Sequence, residues 1–339
     1  MKLIIDCMGG DKSPGANVEG GFLALEQYPD LYLIFSGDEA LIKAEIDRLG
    51  GGYGGRYEIL HAPDVITGED KPTDAIRLKR ESSMMKGIKL LRESSDIDGI
   101  VSTGATGSLV AAATLRIGRL EGVFRPAFCP ILPTMSGGIV GVCDSGANVD
   151  CVPLQLVQFG VMASAYMENT FGIKDPRVAL LNIGTESEKG DDLRKEVYKK
   201  LSVLPGINFV GNMESRDLLS GKYDVVVCDG FSGNVLIKTT EGTALQLLKK
   251  IKKDIYSRTK YKIGALFMKK MFAEEKEFMN YQRYGGSVLL GTEKIIVKGH
   301  GASDKVAVAK CIEQARSMAG SNLNGIIAEK IAAIPEDAV

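Results

Sequence analysis

Apolar positions along the chain fall into two alternating patterns. Short runs of four to six mostly β-branched or large apolar residues recur at 2–6, 32–36, 57–61, 99–102, 138–143, 178–183, 208–211, 224–229 and 294–298. Between them lie longer stretches with helical spacing, near 14–27, 38–48, 72–94, 106–118, 153–169, 189–203, 232–258 and 303–332. Runs such as Val225-Val226-Val227 have no polar alternation, which predicts strands buried on both faces. Strand–helix alternation over the whole length predicts an α/β protein, a mostly parallel sheet covered by helices on both sides. No internal repeat and no Pro/Ser-rich linker interrupts this order, so residues 1–339 read as a single α/β/α domain.

One region departs from the pattern. Residues 243–283 read as a long helical hairpin protruding from that domain. From Lys249 to Lys270 it carries nine basic residues and one acid, Asp254. Inside this run lies Ile263-Gly264-Ala265-Leu266-Phe267-Met268, flanked by Lys262 and Lys269. A solvated hairpin packing at an oligomer interface is one reading. A basic, apolar-tipped surface for anionic lipid or an acidic protein is the other, and the two can coexist.

Composition narrows the class. The 339 residues are 45% hydrophobic and 25% charged, which excludes disorder. Net charge is −1, which argues against a nucleic-acid binder. The six cysteines form no C-x-x-C pair and sit mostly in apolar runs, as buried thiols of a reducing compartment do. The chain opens directly on a strand pattern, without a signal-peptide pattern. Its longest uncharged stretches are broken by proline or too short to cross a bilayer. A cytoplasmic protein, at most peripheral to a membrane, is expected.

Glycine is the informative excess, with 40 residues. There is no P-loop, no G-x-S-x-G, and only two histidines, His61 and His300, so a His-rich zinc site is excluded. The G-x-G-x-x-G at Gly50, Gly52 and Gly55 follows a helical segment rather than a strand and reads as a plain turn. Seven other glycine-rich loops each follow a short apolar run or a helical stretch: Asp6-Cys7-Met8-Gly9-Gly10-Asp11, Ser102-Thr103-Gly104-Ala105-Thr106-Gly107-Ser108, Asp144-Ser145-Gly146-Ala147-Asn148-Val149-Asp150, a stretch from Asn182 through Gly184 and Thr185 to Lys189-Gly190, Asp229-Gly230-Phe231-Ser232-Gly233-Asn234 with Lys238 one turn on, Tyr284-Gly285-Gly286-Ser287, and His300-Gly301-Ala302-Ser303. Ligands of open α/β sheets bind at the carboxyl ends of strands, so these loops should converge. Backbone N–H groups and hydroxyls in the second loop make an anion cradle. The set suits a small anion and a flat carbonyl group. Any single loop can be merely structural: Asp6, Asp144 and Asp229 can cap helices, and Lys189 and Lys238 can be solvated.

Taken in order, these loops resemble those of the bacterial phosphate acyltransferases of phospholipid synthesis, from residue 1 to about 320. Arg125-Pro126-Ala127, Leu132-Pro133-Thr134 and Asn208-Phe209-Val210-Gly211-Asn212 add to the series. The resemblance implies a three-layer, Rossmann-like fold of the isocitrate/isopropylmalate-dehydrogenase type. It implies transfer of a long-chain acyl group from acyl carrier protein to inorganic phosphate, with no cofactor and no metal, by a homodimer loosely associated with the membrane. On this reading Ser102, Thr103, Gly104, Thr106, Gly107, Ser108, Gly184 and Thr185 hold phosphate. Lys189 supplies charge, with Lys238 nearby. Asn182, Asn148 and Asn234 donate amides, Asp229 orients the lysine or a water, and His300 protonates the leaving thiolate. Ile263, Leu266, Phe267 and Met268, with their flanking lysines, face membrane or carrier protein. A dinucleotide-dependent dehydrogenase of the same fold, with Asp144, Asp150 and Asp229 as metal ligands, is the first alternative. A non-catalytic lipid- or protein-binding scaffold is the second, and a short-chain acyl-CoA phosphotransacetylase the third.

Overall fold

A computed structural model describes residues 1–278 and 284–335. Two sheets carry the strands. The first has seven, in the order β3 (Tyr57–His61), β2 (Tyr32–Gly37), β1 (Lys2–Asp6), β4 (Gly99–Ser102), β12 (Ile295–Lys298), β11 (Ser287–Leu290) and β5 (Ala127–Cys129). The second has five: β6 (Ile131–Pro133), β7 (Ile139–Cys143), β10 (Val225–Val227), β8 (Arg177–Asn182) and β9 (Asn208–Glu214). The strand run β3-β2-β1-β4-β12 is parallel throughout, as is β7-β10-β8-β9. Among the described residues the antiparallel pairings are β11 with β12, β11 with β5, and β6 with β7.

The sequence pattern predicts one sheet; the protein has two. The chain leaves the edge strand β5 of the first sheet, passes Pro130, and enters the edge strand β6 of the second. Proline lacks the N–H a ladder needs, so it belongs at such an edge. The three strands absent from the periodicity reading are β5, β6 and β11. Pro130 and Pro133 break up the apolar run that holds β5 and β6, and β11 follows directly on Gly285-Gly286, so the sequence there reads as loop.

Side-chain alternation builds the layers. Leu3 and Ile5 of β1 face one core, shared with Leu33, Phe35, Val101 and Val297. That core also takes α1 (Gly15–Gln27), α6 (Pro153–Phe171), α7 (Asp192–Val203), α11 (Lys305–Gly320) and α12 (Leu323–Ala332), and it contains Val178 and Val225 of the second sheet. Ile4, Ile34, Ile100 and Ile296 point the other way, onto α3 (Pro72–Leu78), α4 (Ser83–Glu93) and α5 (Thr106–Ala112). The outer face of the second sheet packs on Leu236 and Ile237 of α8 (Gly230–Ser257). The result is the three-layer α/β/α architecture expected.

Helix boundaries follow local chemistry. Asp38, Ser82, Asp191, Asp229 and Asp304 each accept a backbone N–H at a helix start. The 72–94 stretch divides because Ser82 caps a new helix after α3 has ended. The 303–332 stretch likewise divides at Asn322, whose left-handed backbone separates α11 from α12. Residues 50–55 form an open turn with Gly50, Gly51 and Gly55 at positive φ, next to no ligand-sized enclosure.

The predicted hairpin is three consecutive helices. α8 runs 28 residues, α9 (Thr259–Phe267) follows after Arg258, and α10 (Lys269–Phe278) after Met268. Residues 279–283 of that prediction lie outside the described residues. Only Gly230, Gly233, Leu236 and Ile237 of α8 are buried, and α9 buries no residue.

Candidate functional site

Parallel order fixes where the loops go. β1 and β4 are neighbours, and the chain turns outward in opposite directions from them, the switch point at which open sheets bind ligands. The loops after β1 and β4 are cross-linked there. Buried Asp6 accepts hydrogen bonds from Ser83 Oγ and Ser102 Oγ, each at 2.6 Å. Ser102 Oγ in turn accepts from Gly104 N, and Thr103 Oγ1 donates to Gly9 O at 2.5 Å. Asp11 N reaches Gly301 O, and Gly299 N reaches Ser102 O. A Cβ on Gly9 would stand 2.5 Å from Gly104 N, so glycine at position 9 permits a backbone approach no other residue allows. Burial pushes the Asp6 carboxyl above its usual range, while the two serine hydroxyls pull it back.

The second sheet supplies the opposite wall. Buried Asp144, just past β7, accepts from the backbone N–H of Phe128, Ser145, Ala147 and Asn148. This ties the first sheet's edge strand to a tight loop of the second. Burial raises the Asp144 carboxyl, against the pull of these N–H groups. The first turn of α8 presses on the same loop. Gly230 N donates to Asn148 O at 2.7 Å, and a Cβ on Gly233 would stand 1.9 Å from Asp144 O.

Between the walls lies a cleft of about 480 Å³. One part of its lining is polar: Thr106, Gly107, Ser145, Asn234, Lys238, Lys298 and His300. Another is apolar: Phe128, Pro130, Ile131 and Ile237. Glu241, half-buried, sits one turn beyond Lys238, and burial raises its carboxyl. His300 Nδ1 accepts the Ala302 N–H at 3.1 Å, so the neutral ring carries its proton on Nε2. Burial, with Lys298 and Lys238 nearby, lowers the imidazole below its ordinary value. Lys298 is buried at the end of β12, and desolvation lowers its ammonium to about 8.

Of the residues singled out in the sequence, Thr106, Gly107, Asn234, Lys238 and His300 stand in the wall of this cleft. Others serve it indirectly. Ser102 and Thr103 turn their hydroxyls inward to Asp6 and Gly9, and Gly104 contributes close backbone. Ser108 Oγ is buried without a hydrogen-bond partner among the described residues. Asn148 spends its amide on Pro126 O and Asp144, so it is no free donor. Asp229 caps α8 through Ser232 N and pairs with Arg194. Among the described residues it orients no lysine.

The fourth loop contributes nothing to the cleft wall. Asn182 closes it, donating to Lys189 O and accepting from Ile183 N. Gly184 and Thr185 lie within the closed loop, and Lys189 is exposed on it. Lys262, Ile263, Leu266, Phe267, Met268 and Lys269 lie on and just beyond α9, outside the cleft. Asp144 and Asp229 commit their oxygens to N–H groups. Among the described residues no group of three His, Cys, Asp or Glu side chains gathers as metal ligands do.

Lys298 is the residue the motif reading missed. Its signal was a lysine ending an otherwise apolar strand, Ile295-Ile296-Val297-Lys298, directly before Gly299-His300-Gly301. A lysine there has to point either into the site or into a core.

Solved structures of phosphotransacylases share this architecture. A phosphotransacetylase from Streptococcus pyogenes superimposes with a TM-score of 0.60 at 15% identity, over 94% of each chain. A branched-chain phosphotransacylase from Enterococcus faecalis V583 does so with a TM-score of 0.58 at 14% identity, over 94% of this chain and 99% of that one. At such identities the likeness concerns the fold. The sequence goes further: the chain belongs to the fatty acid synthesis protein family, whose model matches residues 1–325. A phosphate acyltransferase from Bacillus licheniformis is 42% identical over 331 residues, 98% of each chain. One from Clostridioides difficile is 40% identical over 314 residues, 93% of this chain and 91% of that one. The chain is accordingly an enzyme of the acyltransferase class.

Proposed function

We propose that the cleft transfers a long-chain fatty acyl group from the thioester of acyl carrier protein to inorganic phosphate. The acyl phosphate so formed would serve phospholipid synthesis. The observation that carries this reading is the convergence of five glycine-rich loops on one cleft, with two lysines and a histidine beside an apolar wall. A phosphate dianion suits the polar part. The apolar part, with Phe128, Pro130, Ile131 and Ile237, suits the first carbons of an acyl chain.

The reaction balances without a strong base. An oxygen of HPO₄²⁻ forms the bond to the thioester carbon, the C–S bond breaks, and the phosphate's own proton ends on sulfur. What the site has to supply is position and charge. Backbone N–H groups of the 104–107 loop and the Asn234 amide are candidates for the developing oxyanion. The hydrogen-bonded Nδ1 of His300 favours the neutral ring, which donates a hydrogen bond from Nε2 rather than a full proton. His300 is therefore read as an oxyanion donor, in place of the thiolate acid expected from the sequence.

The three-helix projection is read as the surface for acidic partners. Leu266 is 71% exposed and Phe267 88%, among flanking lysines, which supports peripheral contact with anionic membrane or docking of acyl carrier protein. Exposed Leu245 and Leu247 on α8 support pairing with a second copy as a homodimer. Among the described residues no helix is long and apolar enough to cross a membrane. The six free cysteines support a cytoplasmic setting.

The test is thiol release from palmitoyl-acyl carrier protein with and without inorganic phosphate, the product trapped as hydroxamate by hydroxylamine. Release that requires phosphate is expected. Active substrate with no phosphate-dependent release overturns the reading.

A further inference from the structure

We propose that Lys298, rather than the loop lysine Lys189 or the rim lysine Lys238, is the cation that binds the phosphate acceptor. The inference rests on the acyl-to-phosphate reading above and assigns the subsite within it.

Three observations carry it. Lys298 is only 9% exposed, yet it lines the cleft. Its Nζ donates to two main-chain carbonyls, Thr103 O at a long 3.4 Å and Gly299 O. An ammonium has three N–H donors, and among the described residues the third finds no protein acceptor. Nor does any carboxylate among them lie within ion-pair distance. A buried cation without a paired anion is costly, and here the two carbonyls hold it at the edge of a cleft. A phosphate oxygen supplies both the missing acceptor and the missing charge.

The surroundings fit that role. Asp6, Asp11 and Cys311 act on Lys298 through space, and His300 stands beside it in the wall. The ammonium stays protonated through the reaction: it gives charge to the phosphate and no proton to the sulfur. The cross-linked loops around Asp6 and Ser102 fix the Thr103 carbonyl, so Asp6 is a positioning residue acting through that loop.

The experiment is a phosphate titration of Lys298→Gln and Lys238→Gln, read by thiol release from palmitoyl-acyl carrier protein and by the phosphate-induced rise in melting temperature. Lys298→Gln should raise the KM for phosphate on the order of 100-fold, with the KM for the thioester little changed, and should abolish the thermal shift. Lys238→Gln, at the rim, should cost less than about tenfold. Wild-type KM and thermal shift in Lys298→Gln overturn the proposal. Should that variant fail to fold, the wild-type enzyme decides. Its KM for phosphate should rise roughly tenfold per pH unit above about pH 8, where the ammonium discharges, and a flat profile to pH 9.5 overturns the proposal. Wild-type protein that releases no thiol, but is stabilised by phosphate only when Lys298 is present, sinks the acyl reading and keeps the anion site.

Discussion

Helix α8 starts inside the cleft and ends outside the body of the protein, and its two ends obey different rules. At the first turn Asp229, Gly230 and Gly233 are locked against the Asp144 loop, with close approaches that no side chain beyond hydrogen fits. Past Glu241 the helix and its continuation through α9 touch little of the body, and apolar and basic residues alternate on an open surface. The cleft end specifies geometry through exclusion: small residues, committed hydrogen bonds and a buried lysine. The projecting end specifies only a surface composition. A substitution at the first should act on folding and chemistry together, and one at the second on association alone.

The largest effect is expected at Gly233. Valine there would place Cβ into the Asp144 carbonyl, a clash that backbone on both sides cannot relieve. The variant should lose its cooperative melting transition, seen by calorimetry. A normal transition would show that the contact is softer than described.

Asp6→Ala comes next. It strands the Ser83 and Ser102 hydroxyls in a buried site, at roughly 1–3 kcal/mol for each group left unsatisfied. Urea unfolding should show a lower midpoint with unchanged slope. An unshifted midpoint would detach the loop network from stability.

Lys298 yields a pH signature. Its folded value, about 8, lies below the unfolded value near 10.4, so between them the unfolded chain binds more protons. Stability therefore rises with pH across that window, by at most about 3 kcal/mol from this group. The difference in unfolding free energy between wild type and Lys298→Met, measured from pH 7.5 to 10.5, should show that rise. A pH-independent difference would mean the ammonium is hydrated.

The smallest stability effect belongs to the tip. Leu266→Glu with Phe267→Glu should change unfolding free energy by no more than about 0.5 kcal/mol, since both side chains are exposed. On the membrane-contact reading proposed above, the same pair should abolish sedimentation with phosphatidylglycerol vesicles. A marked loss of stability would mean the projection packs on something, and would break the contrast drawn between the two ends of α8.

Much of this arrangement was legible in the chain. Nine strands were visible because buried parallel strands are continuous apolar runs, as at Val225–Val227. The glycine loops were visible because turns after such strands leave few alternatives. The basic, apolar-tipped stretch was visible because composition alone defines it. Local pattern could not rank the loops against each other, however. Lys189 and Lys298 are equally plain lysines in sequence; one lies exposed on a loop closed by Asn182, the other at the end of a buried strand. Asn148 and Asn234 are equally plain amides, and only packing shows that Pro126 and Asp144 have taken the first. Ser102 and Thr103 look like phosphate ligands until Asp6 and Gly9 are seen to hold them.

The chain by itself determined the α/β class, the position of nearly every parallel strand and the family. These depend on the order of residues along a local segment and on a motif series read end to end. Tertiary structure decided that the strands divide into two sheets at Pro130. It also decided which loops share the cleft, and that a buried lysine on the twelfth strand faces it. Those outcomes depend on which segments distant in sequence compete for the same space and the same hydrogen-bond partners. Asp6 and Ser102 settle that competition 96 residues apart, a separation over which no local periodicity carries information.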